Sequence, residues 1–485
     1  MNTQIRRIAF AVLIMFGAIT LRLGWVQLVK AEELAGDNRN TRLLLKEYAI
    51  ERGPIVSADG QTLAESVPTP NSELSYLRSY PLGERYAHAV GYYSVRYGRR
   101  GLEDRYNEAL TGKGGVITMQ DLGDRLLAGD DLGDTLVLSI HSALQNVAAE
   151  ALAGKNGAVV ALDPVSGQIL AMVSTPSFDS NTLSQHASAG QEQAWTALNG
   201  DPAKPLLNRA TSEIYPPGST FKLLTAVAAM TSGMGDANYP VSKEYLPPQT
   251  DKPIGNFGGG TCGGGMAEAL KVSCNTYFAQ LGAELPAGAL EKTAESFGFG
   301  EKPPLDSSTT ASRIPSPDQL RSPAFRAQSA LGQFDVAATP LQMALVAAGI
   351  GNEGKVPEPR LVREIRDSRA GIVESVEPKV WKEAVSPEVA NALKQMMIGV
   401  VDSGTGRAAA IPGVQIAGKT GTAQVGATGE DTLAWFVAVA PAEAPKIAIA
   451  VVVEGAGDPS NETGGRLAAP IAKQVLEAHR GIAGW

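Results

Sequence analysis

Two pairs of strand-like runs, far apart in this 485-residue chain, constrain its fold most strongly. The first pair lies within residues 157–173 and the second within 432–453, each rich in Val, Ile and Ala and bounded by Gly or Pro. Helix-forming segments lie between them, and a last helix over 466–479 would pack its apolar face on the sheet. Hairpins first and last with helices between them predict an α+β fold, an antiparallel sheet covered by helices.

Ser219 and Lys222 belong to the first of three short strings that carry chemistry. Pro217 and Gly218 precede the serine and good helix formers follow the lysine, so a helix start is predicted here. Residues three apart share a helix face, which would set Lys222 beside Ser219. A serine needs a neighbouring base to attack a carbonyl, and a lysine serves near neutral pH only when burial or a cation lowers its pKa. Taken alone, this S-x-x-K string is more often a helix cap and a solvated lysine.

Ser273, Cys274 and Asn275 form the second string, after a helix predicted to begin near Met266. By itself it would be read as capping or loop residues. Between the first string and the third, Ser273 instead becomes a candidate proton relay. Lys419, in the third string, is then the candidate cation that depresses the pKa of Lys222.

Lys419, Thr420, Gly421 and Thr422 form the third string, which has a second interpretation. Residues 413–420 match the phosphate-loop pattern G-x-x-x-x-G-K-[ST] letter for letter. A phosphate loop requires a helix to begin at its Lys-Thr pair. Here the following residues are rich in Gly and Thr and predict a strand, which argues against an ATPase.

Together the three strings resemble those of the penicillin-binding proteins. The N-terminal half is similar to class B members in R-G-P-I at 52–55, D-G-Q-T-L-A at 59–64 and G-L-E-D-R-Y at 101–106. The hairpin at 157–173 resembles the opening of their transpeptidase domain, and actinobacterial members are the most similar. Two departures are Cys274 in the middle of the second string and the Gly-rich stretch near it.

The resemblance implies a role for each residue of the three strings. Ser219 would be acylated by a peptidoglycan stem peptide ending in D-Ala-D-Ala, Lys222 would take its proton, and Ser273 with Lys419 would pass a proton to the leaving amine. Backbone N–H groups of Ser219 and Thr422 would form an oxyanion hole. A β-lactam would mimic the substrate and block Ser219, and no cofactor or metal is implied. The implied substrate-binding residues are Asn275, Thr420, Gly421 and Thr422.

The N-terminal segment predicts the compartment. Two arginines at 6 and 7 precede an apolar stretch over 8–29, interrupted by Arg22 and long enough to span a bilayer at about 20 residues. The positive flank would stay in the cytoplasm, giving a single-pass anchor in a bacterial cell membrane with the rest of the chain outside. The alternative is a signal peptide cleaved near residues 29–31.

Three segments follow from these features: a cytoplasmic N-terminus and anchor at 1–30, a non-catalytic pedestal at 31–140 and a transpeptidase domain at 141–485. The pedestal is too short for the glycosyltransferase domain of class A members. A formal net charge of -8 argues against nucleic acid as a partner, and the four histidines lack metal-ligand spacing.

The two cysteines, Cys262 and Cys274, have two interpretations. Outside the cytoplasm they could pair and fasten the Gly-rich loop beside the second string. Two buried free thiols are the alternative. The residues leave both open.

Three functions remain open at this stage. The first is a transpeptidase that works beside a membrane glycan polymerase and the proteins of division or elongation. The second is a carboxypeptidase or β-lactamase, in which water replaces the acceptor amine. The third is a β-lactam sensor or division scaffold that keeps the acylating serine. The long pedestal favours the first.

Overall fold

The computed structural model of the chain describes residues 3–28, 30, 48–70, 74–112, 132–425, 431–455 and 461–485. Its first element is a 26-residue helix, Thr3–Leu28, that buries no side chain. Within the described ranges it is the one helix long and apolar enough to cross a membrane. Residues 29 and 31 of the alternative cleavage site, and residues 31–47, 71–73 and 113–131 of the predicted pedestal, lie outside those ranges.

The helices are numbered in chain order. They are α1 (Thr3–Leu28), α2 (Gly83–Val90), α3 (Leu102–Arg105), α4 (Asn107–Leu110), α5 (Ser142–Ala151), α6 (Asn181–Ser184), α7 (Ser188–Gly200), α8 (Lys222–Thr231), α9 (Met266–Lys271), α10 (Asn275–Glu284), α11 (Ala289–Ser296), α12 (Pro323–Ser329), α13 (Pro340–Gly351), α14 (Pro387–Asp402) and α15 (Ala469–Ala483).

The strands are numbered in the same way. They are β1 (Ile55–Val56), β2 (Thr62–Pro68), β3 (Tyr76–Ser79), β4 (Gly91–Ser94), β5 (Gly98–Gly101), β6 (Thr135–Leu138), β7 (Gly157–Leu162), β8 (Ile169–Thr175), β9 (Asn238–Ser242), β10 (Glu244–Tyr245), β11 (Ile254–Gly255), β12 (Cys262–Gly265), β13 (Lys355–Pro357), β14 (Val362–Arg366), β15 (Ile372–Ser375), β16 (Val380–Glu383), β17 (Ala417–Val425), β18 (Asp431–Ala440) and β19 (Ile447–Glu454).

A five-stranded antiparallel sheet in the order β17-β18-β19-β7-β8 forms the centre of the molecule. Helices bury both of its faces. Val160 of β7 lies in the same apolar cluster as Leu341 of α13, and its neighbour Val159 lies in a second cluster with Val475 of α15. A strand buried on both faces reads as a continuous apolar run, which is the pattern that predicted these strands. The predicted α+β fold is confirmed.

The pedestal contains a second sheet that is not built from one stretch of chain. Its order is β15-β14-β6-β1-β2-β3, so two strands from residues 362–375 complete a sheet begun by residues 55–79. Strand pairing in this sheet crosses residue 140. The domain boundary predicted there therefore stays a prediction. One apolar cluster also contains both Ile55 of the pedestal and Phe221 of the first string.

Candidate active site

Ser219 lies in a tight 3-10 turn, Gly218–Thr220, immediately before α8. The turn is held from both sides: Gly218 N donates to Gly332 O at 3.1 Å, and the Trp435 indole N–H donates to Pro216 O at 3.0 Å. Gly218 has a φ of +52°, a region that glycine adopts readily. Ser219 is half-buried on the wall of a cleft. Among the described residues, its hydroxyl makes no side-chain hydrogen bond.

Lys222 is the first residue of α8 and is completely buried. Its amine donates to Ser273 O at 2.8 Å and to Asn275 Oδ1 at 2.7 Å, and it lies 3.4 Å from the Ser273 hydroxyl. Burial, and then the charge of Lys419, hold the pKa of Lys222 well below its usual range. The sequence predicted Lys222 beside Ser219. The structure places it in the next turn, with its amine hydrogen-bonded to the second string; in the described part of the chain no hydrogen bond joins that amine to the Ser219 hydroxyl.

Ser273 lies in the turn between α9 and α10, with a φ of +58° that is rare for a residue with a side chain. The Lys419 amine donates to the Ser273 hydroxyl at 2.9 Å and to Thr420 O at 2.8 Å. Burial lowers the pKa of Lys419 to about 7. Ser273 therefore stands between the amines of Lys222 and Lys419, as a proton relay would.

The third string lies in the middle of β17, where Lys419 pairs with Val437 across the sheet. No helix begins at Lys419 and Thr420, so the geometry excludes a phosphate loop. β17 is the end strand of the central sheet. Two of its alternate residues, Thr420 and Thr422, line the cleft.

Gly421 allows the Ser219 turn to approach β17 closely. A Cβ built on Gly421 would lie 2.8 Å from Pro217 O and 3.0 Å from Thr220 Cγ2. The first is a backbone atom, and the Thr220 side chain is held by a 2.7 Å hydrogen bond from its hydroxyl to Pro217 O. Gly421 thus has a packing reason to be glycine, beside the substrate contact implied by the resemblance.

The cleft has a volume of about 1080 Å³. Five of the eight predicted catalytic and substrate-binding residues line it, as do both cysteines, while Lys222 and Lys419 are fully buried. The predicted residues on the wall are Ser219, Ser273, Asn275, Thr420 and Thr422.

The opposite wall is formed by the Gly-rich segment that precedes α9. Cys262 and Cys274 form a disulfide that joins this segment to the second string. The sequence had left a disulfide and two free thiols open. Asn256 of the same segment bonds to the first residues of α10, a contact that the sequence did not predict.

Two further residues on the cleft wall or beside it escaped the sequence analysis. Thr405 shares a 2.6 Å hydroxyl hydrogen bond with Thr420, and Gly464 N donates to Thr422 Oγ1 at 3.3 Å. The only local signal for either was a pair of short strings, G-T-G at 404–406 and T-G-G at 463–465. Small residues of this kind mark close backbone approach but do not identify the partner strand.

The chemistry of this arrangement is that of acyl transfer. A half-buried hydroxyl opens on a cleft, two amines of depressed pKa are buried near that cleft, and the Ser273 hydroxyl contacts both amines. Hydroxyls from β17 face the same space and could bind an anionic group.

Comparison with known proteins agrees with this geometry. Residues 157–477 match the family described as the penicillin-binding protein transpeptidase domain, and residues 52–136 match the penicillin-binding protein A dimerisation domain. The chain is 40% identical to the peptidoglycan D,D-transpeptidase PbpA of Mycolicibacterium smegmatis, over 99% of each chain. It is 39% identical to PbpA of Mycobacterium tuberculosis H37Rv, again over 99% of each.

The solved structures extend the likeness to three dimensions. Penicillin-binding protein A of M. tuberculosis, as its ceftriaxone acyl-enzyme complex, superposes with a TM-score of 0.83 at 39% identity. The match covers 90% of this chain and 99% of that one. PBP2 of Pseudomonas aeruginosa gives a TM-score of 0.73 at 31% identity, covering 89% of this chain and 95% of that one. The chain therefore belongs to the class B penicillin-binding protein transpeptidases.

Proposed function

We propose that the protein is a serine peptidoglycan D,D-transpeptidase that β-lactams acylate and inhibit. The observation that carries the proposal is the continuous path from Lys222 through Ser273 to Lys419, beside a cleft that contains Ser219. The PbpA relatives are named peptidoglycan D,D-transpeptidases. Solved structures of the M. tuberculosis protein are acyl-enzyme complexes with ceftriaxone, imipenem and penicillin G.

In the first step the Ser219 oxygen attacks the carbonyl carbon of the penultimate D-alanine. The neutral Lys222 amine takes the hydroxyl proton as the new C–O bond forms. Backbone N–H groups of Ser219 and Thr422 stabilise the oxyanion. The C–N bond then breaks, and a proton reaches the leaving amine through Ser273 and Lys419, so free D-alanine departs.

In the second step the amine of a neighbouring stem peptide attacks the acyl-enzyme. A new amide bond forms, the ester to Ser219 breaks, and the proton taken from the amine returns to the serine oxygen. No net hydrolysis occurs. With a β-lactam the first step opens the four-membered ring, and the acyl group stays on Ser219.

Substrate contacts follow from the cleft walls. Thr420 and Thr422, with Gly421 between them, bind the terminal carboxylate from β17, and Asn275 holds the substrate amide from the opposite wall. The Thr405 hydroxyl, bonded to Thr420, orients that side chain toward the carboxylate. The Thr420 hydroxyl can therefore donate a hydrogen bond to the substrate carboxylate while it accepts a hydrogen bond from the Thr405 hydroxyl.

The setting is the outer face of the bacterial cell membrane. α1 serves as the single-pass anchor, and the catalytic domain lies outside the cytoplasm, where stem peptides are found. The partners are a membrane glycan polymerase and proteins of the division or elongation machinery. Cell fractionation tests the anchor. We expect the full chain in the membrane fraction and a variant that lacks residues 1–30 in the soluble fraction.

Fluorescent penicillin labelling tests the nucleophile. We expect Ser219→Ala to lose all covalent labelling, whereas Ser232→Ala, at the other end of α8, keeps it. Persistent labelling of Ser219→Ala would refute the assignment. Incubation with lipid-linked substrate and a glycan polymerase then separates the reactions: crosslinked product is expected, and free D-alanine without crosslinks would show a carboxypeptidase instead.

A further inference from the structure

The N-terminus of α10, which begins with Asn275, is capped by a residue from another part of the chain. The side chain of Cys274, at the N-cap position, accepts no hydrogen bond from the N–H groups of the helix start. The N–H groups of Asn275 and Thr276 both donate to Asn256 Oδ1, each at 3.0 Å. First-turn N–H groups lack partners within a helix, and a side-chain oxygen that accepts them stabilises the helix start.

The other side of the Asn256 amide fixes the Gly-rich wall of the cleft. Its Nδ2 donates to Ser242 O at 3.0 Å and to Gly260 O at 3.1 Å. The preceding carbonyl, Gly255 O, accepts from Asn275 Nδ2 at 3.0 Å. One amide thus joins three segments: β9, the Gly-rich stretch and the start of α10.

These contacts decide which atom of Asn275 faces the reacting groups. With its Nδ2 committed to Gly255 O, the Asn275 side chain turns Oδ1 toward the Lys222 amine, 2.7 Å away. A displaced helix start would move both the oxygen that holds Lys222 and the amide that contacts substrate. Misplacement of about 1 Å can lower a rate about 100-fold.

We propose that Asn256 is a positioning residue for acylation. Its Oδ1 caps α10 and so holds Asn275, and through Asn275 the Lys222 amine, in the geometry that Ser219 requires. Asn256 does not touch the reacting atoms. The proposal rests on the proposed function, since it assigns Asn275 and Lys222 the roles given above.

The test compares Asn256→Ala with Asn256→Asp, which keeps a capping oxygen and loses the Nδ2 donor. Asn352→Ala is the control, because Asn352 is a turn residue whose Nδ2 donates to Lys355 O outside the cleft wall. Stopped-flow labelling with fluorescent penicillin gives the acylation rate constant per active site. The fraction labelled at saturation is measured separately. Each rate is taken at the maximum of that protein's own pH profile, because a new carboxylate would raise the pKa of the nearby Lys222.

We expect Asn256→Ala to acylate about 10- to 100-fold more slowly per site, with full labelling at saturation. The disulfide still joins the loop to the second string, and this should keep the variant folded. We expect Asn256→Asp to recover to within about fivefold of wild type, as the capping preference of Asp and Asn predicts. The control should match wild type.

Three results would overturn the inference. They are a wild-type rate for Asn256→Ala, an Asn256→Asp rate as low as that of Asn256→Ala, and a loss of labelled fraction with no change in rate per site. The last would show a purely structural role. An unlabelled wild-type protein would instead refute the proposed function, so the two failures are distinguishable.

Discussion

Lys222 and Lys419 are two buried amines that both contact the Ser273 hydroxyl. Because they lie so close together, we expect them to differ in protonation state. Two ammonium groups so close in a dry site repel each other, so one of them loses its proton far more easily. The pKa of Lys222 is lowered by burial and by the charge of Lys419, so Lys222 is the amine that becomes neutral first as pH rises. In the proposed mechanism the neutral Lys222 amine would serve as the base and Lys419 would supply the cation.

This division predicts a bell-shaped pH profile for acylation. The rate should rise as Lys222 loses its proton and fall as pH passes about 7, where Lys419 loses its own. In Lys419→Met the charge that depresses the pKa of Lys222 is gone. We expect slower acylation, a rising limb displaced to higher pH and no fall near pH 7, all measured by penicillin labelling across pH.

The same variant has a stability signature with a definite sign. Between the folded pKa of Lys419, about 7, and its unfolded value of 10.5, the unfolded chain binds a proton that the folded chain does not. The free energy of unfolding should therefore rise with pH across this window, by at most about 1.4 kcal/mol per pH unit for one group. A denaturant titration at several pH values should show a flatter dependence for Lys419→Met. Identical slopes for the two proteins would contradict the buried, neutralisable lysine.

At the scale of elements, the site depends on how closely β17 and the Ser219 turn approach. Gly421 lies opposite Trp435 in the sheet, and the Trp435 indole in turn holds Pro216 of the segment that leads to Ser219. A strand residue without a side chain is what permits such an approach. The absence of a side chain at Gly421 therefore allows the Ser219 turn to lie close against β17.

Gly421→Ala tests this dependence. The added Cβ would meet Pro217 O at 2.8 Å, so either the turn or the strand must shift. We expect acylation to slow about 10- to 100-fold in a folded protein, measured as the labelling rate per active site. Gly399→Ala, in α14, is the matched control, since its Cβ would meet no atom within 4 Å. Equal rates for the two variants would show that the close approach is unimportant.

The sequence was a good guide wherever chemistry and periodicity are local. Continuous apolar runs predicted β7, β8, β18 and β19 because both faces of their sheet are buried. The contact between Asn256 and α10 could not be predicted from the sequence. The Gly-rich segment between them has no hydrophobic periodicity that would indicate how it folds back on the helix. The addition of β14 and β15 to the pedestal sheet could not be predicted from the sequence either. The order of strands in a sheet depends on tertiary packing, which the residue pattern of a single strand does not indicate.

For the whole molecule, the pedestal and the catalytic part share a sheet and an apolar cluster. Within the pedestal, a buried charge network joins residues from different strands and helices. Glu103 is completely buried and binds Arg52 at 2.6 Å, Arg78 at 2.7 Å and the Tyr80 hydroxyl at 3.2 Å. The two guanidinium groups hold the pKa of Glu103 below its usual range, against the effect of burial.

Glu103→Ala would leave two buried cations without their carboxylate. Breaking one partner out of a buried ion pair costs about 3–5 kcal/mol. Since the two parts share a core, we expect the thermal midpoint of unfolding and the temperature at which penicillin labelling is lost to fall together. Glu150→Ala, whose pairing with Arg85 is exposed, should change neither. Labelling that outlasts pedestal unfolding would show that the parts unfold independently.

The order of strands in the pedestal sheet also has a consequence for biosynthesis. β6 pairs on one side with β1 and on the other with β14, which is made much later. A chain that ends before residue 362 would lack β14 and leave that edge of β6 unpaired, where it can bind other strands and promote aggregation. We expect such a fragment to aggregate more readily than the full chain.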